Sequence, residues 1–148
     1  MSEATPSHSR RGLARRLAMQ ALYQWLLNET SPSTLMRQFR EQEEGIGRAD
    51  PAYFEALLTG TVDAASDLTL ALVPHLDRPL QQLDPVEHAV LLLGAYELLH
   101  KPDVPWKVCV NEAVNLAKMF GAEDGYKFVN GVLDKLARAQ RAAEIPAS

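Results

Sequence analysis

The sequence predicts an all-α protein of about seven helices arranged as two packed helical bundles. Apolar residues recur at spacings of three and four along most of the chain, which is the period of one buried helix face. No segment alternates apolar and polar residues with β-branched enrichment, as a half-buried strand would. The composition, 47% hydrophobic and 23% charged over 148 residues, is typical of a globular domain with its own core.

The N-terminal third is predicted to hold a tail, two helices and a loop. Residues 1–9 are small and polar and are expected to form a flexible tail. One apolar stripe then defines the first helix, and its members are Leu13, Leu17, Ala21, Leu22, Trp25 and Leu26. Ser31 followed by Pro32 is a typical N-cap and first turn of a second, short helix. The polar stretch over residues 41–48 contains two glycines and is predicted to be a mobile loop.

Two more cap-and-proline pairs start helices in the middle of the chain. Asp50-Pro51 opens a helix that is predicted to run without a break until Pro74. The proline-containing segment 74–79 is expected to divide one domain, residues 10–140, into two sub-bundles. Asp84-Pro85 opens a helix through Leu99 that is apolar nearly all round, which predicts a central, buried helix.

The C-terminal part is predicted to contain two further helices and a solvated tail over residues 141–148. The first helix follows Pro105 and ends at Gly121, interpreted as a C-terminal cap glycine. The second begins near Glu123. Gly131 lies inside this helix, where glycine costs about 1 kcal/mol relative to alanine, and we interpret it as permitting close helix packing.

Several function classes are disfavoured by the same sequence. Cys109 is the only cysteine, which excludes an intramolecular disulfide and a cysteine-based zinc site and favours a reducing compartment. The four histidines lack the spacing of a helical metal site, and no glycine-rich phosphate loop or nucleophile elbow occurs. No stretch approaches the roughly 18–20 apolar residues of a membrane span, and no signal peptide is evident. We therefore expect a cytoplasmic protein without catalytic activity, cofactor or metal.

The charge distribution points to a local anion-binding arm. The net charge is −4, but the first 20 residues carry four arginines and one glutamate. These arginines, predicted to project from the first turns of a helix, are Arg10, Arg11, Arg15 and Arg16. Cations near a helix N-terminus are repelled by the positive end of the helix macrodipole, which is unfavourable. A bound polyanion would offset this electrostatic cost. Guanidinium groups suit phosphate oxygens and stack on bases, which favours nucleic acid as the ligand.

A second candidate site lies at the start of the last helix. Lys127 and Tyr126 flank Phe128 near a helix N-terminus, where an aromatic ring, a cation and free backbone N–H groups can stack a base and hold a phosphate. Phe128 also lies on the stripe of Val132, so core packing is the alternative interpretation of that ring.

Three long segments resemble the NusB transcription antitermination factors. They are residues 15–25 (RRLAMQALYQW), residues 103–113 (DVPWKVCVNEA) and residues 118–135 (KMFGAEDGYKFVNGVLDK). The resemblance covers about residues 10–138. It implies an all-helical protein of two packed bundles that binds boxA, a single-stranded signal in nascent ribosomal transcripts. In this family the protein binds boxA together with the ribosomal protein NusE, and this pair joins an RNA polymerase antitermination complex. No catalysis is attributed to the family.

The resemblance also implies specific surfaces. The RNA surface would combine the arginine-rich segment with Asp124, Lys127 and Phe128, and the protein-partner face would include Glu87, with Tyr23 nearby. Single-stranded RNA is recognised through aromatic stacking and arginine planes, so these residue types fit the expected ligand. Self-association through the RNA face leaves a monomer or a homodimer open.

Two other functions remain open from the sequence. A similar helical domain occurs ahead of RNA cytosine methyltransferases, although this chain has no glycine-rich cofactor motif. The chain could also be a purely structural interaction protein whose arginines form a solvated helix end.

Overall fold

The computed structural model describes residues 6–42 and 48–145, and the side chains of residues 10–42 and 48–145. The predicted loop around Gly45 and Gly47 and most of the predicted N-terminal tail lie outside the described residues. Within the described part, seven α-helices and two short 3₁₀ turns are present and no strand occurs, which confirms the all-α prediction. The helices are α1 Pro6–Asn28, α2 Pro32–Glu41, α3 Pro51–Asp63, α4 Ala65–Leu72, α5 Pro85–His100, α6 Trp106–Phe120 and α7 Gly125–Gln140.

Three helix starts follow the predicted cap chemistry. The side chains of Ser31, Asp50 and Asp84 each accept a hydrogen bond from the backbone N–H three residues later, and proline occupies the first helical position each time. Each cap satisfies one of the four N–H groups that a helix start leaves without an intrahelical partner. α1, by contrast, begins at Pro6, so residues 6–9 of the predicted flexible tail are helical.

The helix predicted from Asp50 to Pro74 is broken at Ala64. α3 and α4 meet there at a bend of 73°. α3 packs mainly on α1, whereas α4 packs on α5, so the two halves of the predicted helix pack against different helices. No single helix in the described part of the chain is both long and apolar enough to cross a bilayer, and α3 and α4 reach those criteria only as a bent pair.

The predicted central helix is confirmed. α5 contacts α1, α3 and α4 on one side and α6 and α7 on the other. Its residues Ala89 to Ala95 are all buried, so the core runs continuously through α5 between the two helical groups. Gly94 permits the close packing of α5 on α7, since a Cβ there would lie 2.6 Å from Leu133 Cδ1.

The C-terminal segment differs from the predicted solvated tail. Arg141 is only 7% exposed, and its guanidinium donates hydrogen bonds to backbone carbonyls at the end of α5 and in the following turn. These carbonyls belong to Glu97, Leu98, Lys101 and Val104. Since the last carbonyls of a helix have no intrahelical partner, Arg141 acts as a side-chain cap for α5.

Candidate nucleic-acid interface

The four arginines of α1 do not form one exposed cluster. Arg15 is only 2% exposed and its Nε donates to both oxygens of Glu97 at 2.9 Å, while its Nη1 donates to Glu112 at 3.2 Å. The Tyr53 hydroxyl donates to the same Glu97 carboxylate. Burial alone would lower the pKa of Arg15, but the Glu97 carboxylate outweighs this and raises it, so the guanidinium stays charged. The expectation that Arg15 presents its guanidinium to a ligand does not fit this placement.

The other three arginines reach solvent on different sides of α1. Arg11 lies over the Tyr53 ring at 4.2 Å from its centroid and 3.8 Å from an oxygen of Asp103. Arg10 and Arg16 are exposed. Arg16 lies one turn before Gln20 and two turns before Tyr23, so these three side chains share one stripe of α1 that is exposed at Arg16 and half-buried at Gln20 and Tyr23.

A groove lies between this stripe and the ends of α5 and α6. Its volume is about 490 Å³, and we call it the α1–α6 groove. It is lined by Met19, Gln20, Tyr23, Gln24, Phe39, Gln42, Val86 and Phe120. An apolar floor with amide side chains at its edge suits a protein segment with a few polar contacts. Tyr23, the predicted partner-binding residue, is half-buried in this groove.

Glu87 joins the groove to the start of α7. It follows Val86, and its backbone N–H donates to Asp84 Oδ1 at 2.8 Å. The side chain is buried against Gly125, where an added Cβ would lie 2.7 Å from the carboxylate oxygen Oε2. Burial, and then the nearby Asp84 carboxylate, raise the pKa of Glu87 above its usual value. Only 7% of this predicted partner residue is exposed in the free protein.

The predicted residues at the start of α7 are placed together on the surface. Lys127 Nζ lies 3.4 Å from Asp124 Oδ1, and both side chains are well exposed. Phe128 is partly buried against the core. The guanidinium of Arg78, from the turn before α5, lies over the Phe128 ring at 4.0 Å from its centroid. Our sequence interpretation missed Arg78, because a single arginine in a proline-containing turn has no periodic signal that links it to α7.

The two predicted regions are connected by a continuous series of contacts. Gly12 of α1 faces the Glu112 carboxylate of α6, and further along the same helices Gln20 and Tyr23 line the groove with Phe120. Val86 lines that groove too, and its neighbour Glu87 contacts Gly125 at the start of α7. These contacts link α1, through α6 and the start of α5, to the start of α7, which carries Lys127 and Phe128.

The only cysteine of the sequence lies in the core. Cys109 is fully buried, and burial together with the Glu97 charge raises the pKa of its thiol to about 12, which favours the protonated thiol at neutral pH. The described residues contain no group of three or more histidine, cysteine or carboxylate side chains placed to hold a metal ion.

Comparison with known proteins identifies similar sequences and structures. A family model described as the NusB family matches residues 13–138. The chain is 52% identical over 142 residues to the transcription antitermination protein NusB of Ralstonia pickettii (strain 12J), covering 96% of this chain and 91% of that protein. It is 47% identical over 135 residues to the protein of the same name from Thiobacillus denitrificans, covering 91% and 92% of the two chains.

Solved structures agree with this match. T. maritima NusB superposes with a TM-score of 0.75 at 30% identity, covering 86% of this chain and 90% of that one. A crystal structure of the antitermination factors NusB and NusE in complex with dsRNA gives a TM-score of 0.75 at 26% identity, covering 88% and 98%.

Proposed function

Because this chain belongs to the NusB family, we propose that it is an RNA-binding transcription antitermination factor without catalytic activity. Its ligand is the single-stranded boxA signal of nascent ribosomal transcripts, bound jointly with the ribosomal protein NusE in a cytoplasmic RNA polymerase antitermination complex. The observation that supports this proposal is the series of contacts from the groove lined by Tyr23 and Val86, through Glu87, to the start of α7. We propose that Arg16 and Phe128 border one RNA surface along this series. The relatives named above are antitermination proteins and one solved neighbour is bound to NusE and RNA, which favours this function over a methyltransferase-associated domain.

Within this surface the side chains divide into two sets. The RNA contacts are assigned to Arg10, Arg11, Arg16, Asp124, Lys127 and Phe128, and Arg15 supports the helix that carries the first three. The cationic members supply phosphate contacts, the Phe128 ring supplies base stacking, and Asp124 orients Lys127 through their ion pair. Tyr23, the α1–α6 groove and the adjoining Glu87 form the site for the ribosomal protein, so RNA and protein partner lie side by side.

The electrostatics explain why a second protein is needed. Four cations, the exposed Arg10, Arg16 and Lys127 and the half-buried Arg11, would release counterions from about four phosphates. For a single strand this gives a salt slope of roughly −3 in log K against log salt, which corresponds to modest affinity at physiological ionic strength. The body of the protein is acidic, so it adds no general attraction for nucleic acid.

The test is a binding titration of a fluorescent boxA RNA by anisotropy, with and without the ribosomal protein. We expect the double variant Arg16→Ala with Phe128→Ala to weaken binding by at least about tenfold, since one stacked base and one phosphate contact are lost. Arg40→Ala is the matched control, because Arg40 is an exposed arginine that is paired with Glu55 at 2.8 Å and is not among the residues assigned to the RNA. Unchanged RNA affinity of the double variant at equal folded fraction would exclude the proposed surface.

A further inference from the structure

A small cleft on the outer face of α7 lies next to the proposed RNA surface. Its volume is about 150 Å³, and Gly131 forms part of its lining. The charged and titratable groups that line it are His75, Asp77, Lys127 and Lys135. The volume is well below the roughly 300–1,000 Å³ of sites for small organic ligands, so the cleft suits one small anionic group such as a phosphate.

Gly131 leaves the backbone of α7 open at this cleft. A Cβ added at Gly131 would meet nothing within 4 Å, so the close helix packing that we predicted for this glycine does not occur. Glycine in an exposed helix position costs about 1 kcal/mol relative to alanine, and packing in the free protein does not account for that cost. Close approach of a ligand to the helix backbone is the other use of a glycine at such a position.

Arg78 lies beside this cleft, where it contacts the lining residues Asp77 and Phe128. Its Nε donates to Asp77 Oδ1 at 2.8 Å, which holds the guanidinium over the Phe128 ring. One face of the Phe128 ring is therefore covered by a cationic plane in the free protein. A guanidinium plane is itself a stacking surface for nucleic-acid bases, so a base can stack on Arg78 as the next layer above Phe128.

We propose that the RNA strand continues past Phe128 onto this face of α7, with one base stacked on the Arg78 guanidinium and the adjacent phosphate over Gly131 between Lys127 and Lys135. Arg78, Gly131 and Lys135 then belong to the RNA site, and the Asp77 carboxylate positions Arg78. This extension rests on the proposed RNA-binding function.

The extension is tested with the full chain, the ribosomal protein NusE and a fluorescent single-stranded boxA RNA. Four single variants are compared in the same anisotropy titration: Arg78→Ala, Arg78→Lys, Gly131→Ala and Lys135→Ala. Arg40→Ala again serves as the control for an exposed, ion-paired arginine. Thermal unfolding of each variant is measured in parallel, because a loosened Phe128 ring would appear as a lower Tm.

The expected results separate the extended site from a merely structural role. Arg78→Ala and Arg78→Lys both weaken RNA binding by at least about fivefold, since a lysine keeps the charge but lacks the stacking plane. Gly131→Ala raises the Tm and yet weakens RNA binding, because the new methyl group stabilises the helix and occupies the path of the phosphate. Lys135→Ala reduces the salt slope by about 0.7, the contribution of one phosphate contact to a single strand.

Different outcomes overturn different claims. Full RNA affinity in Arg78→Lys excludes base stacking on Arg78, and full affinity with a raised Tm in Gly131→Ala excludes a strand over α7. In either case Phe128→Ala still weakens binding if the proposed function is correct. If Phe128→Ala and the Arg16 variant leave RNA binding unchanged as well, the RNA-binding function fails and not only its extension.

Discussion

Replacing Arg15 by alanine is expected to unfold the protein more readily rather than to remove an RNA contact. Arg15 is 2% exposed and its partner Glu97 is 1% exposed, and two hydrogen bonds of 2.9 Å join them. Loss of the guanidinium leaves the Glu97 carboxylate buried with only the Tyr53 hydroxyl as a strong partner. Breaking a buried ion pair on one side typically costs about 3–5 kcal/mol, which is a large part of the roughly 5–15 kcal/mol that stabilises a domain.

Urea unfolding followed by circular dichroism measures this change directly. Arg16→Ala is the matched control, because Arg16 is the neighbouring arginine and is exposed, so its removal should change the free energy of unfolding by less than about 0.5 kcal/mol. RNA affinity should show the opposite order, with Arg16→Ala weakened more than folded Arg15→Ala, whose effect on binding is only indirect. An Arg15→Ala variant that keeps its stability but loses RNA affinity would refute the structural role of Arg15.

A double variant, Arg15→Met with Glu97→Gln, sharpens the same test. It removes both charges and keeps two side chains of similar length, so no uncompensated carboxylate remains in the core. We expect this double variant to be more stable than Arg15→Ala, since most of the cost comes from the isolated charge. Equal instability of the two variants would instead show that packing volume, and not charge, dominates at this position.

Three further changes test how the helices are held around α5. Arg141→Ala should lower the free energy of unfolding by about 2 kcal/mol or more, because backbone carbonyls at the end of α5 and in the following turn lose the guanidinium as donor. Thermal unfolding measures this loss, and Arg138→Ala is the control because Arg138 is exposed. Gly94→Ala should cost about 1–3 kcal/mol in urea unfolding, since its methyl group would overlap Leu133, whereas a gain in stability would contradict that packing. Burial lowers the pKa of His88, so the unfolded state binds more protons and the free energy of unfolding should fall as the pH drops below about 6.5. His88→Gln should flatten this pH dependence, and an unchanged profile would show that His88 does not cause it.

The helix starts could be predicted because their cause is local. A capping side chain, a proline and the N–H group that the cap satisfies lie within four residues, so Ser31, Asp50 and Asp84 are recognisable without any tertiary information. The break at Ala64 could not be predicted in the same way. The apolar period continues through Ala64, and the bend follows from packing on two different helices that the local sequence does not specify.

The charged core was missed for a related reason, although a signal was present. Arg15 lies three residues before Ala18 and seven residues before Leu22, so it shares a helix face with them. The side chains of Ala18 and Leu22 are both fully buried. An arginine on the buried face of one helix and Glu97 in an otherwise apolar helix together indicate a buried ion pair. Counting the arginines of α1 as one basic cluster overlooked the helical angle that separates Arg15 from Arg16.

The proposed RNA surface depends on side chains that never meet the RNA, because α5 fixes the position of each part. α1 is held to α5 by the ion pair of Arg15 with Glu97, and this orients the exposed stripe that starts at Arg16. α7 is held to α5 by the contact of Glu87 with Gly125, close to Phe128. Substitutions in these buried contacts should therefore weaken RNA binding by shifting one half of the surface against the other. The effect of these buried substitutions on RNA affinity should disappear with a short RNA that contacts only one half of the surface. A substitution of a residue that contacts the RNA directly should instead weaken both the long RNA and a short RNA that reaches that residue.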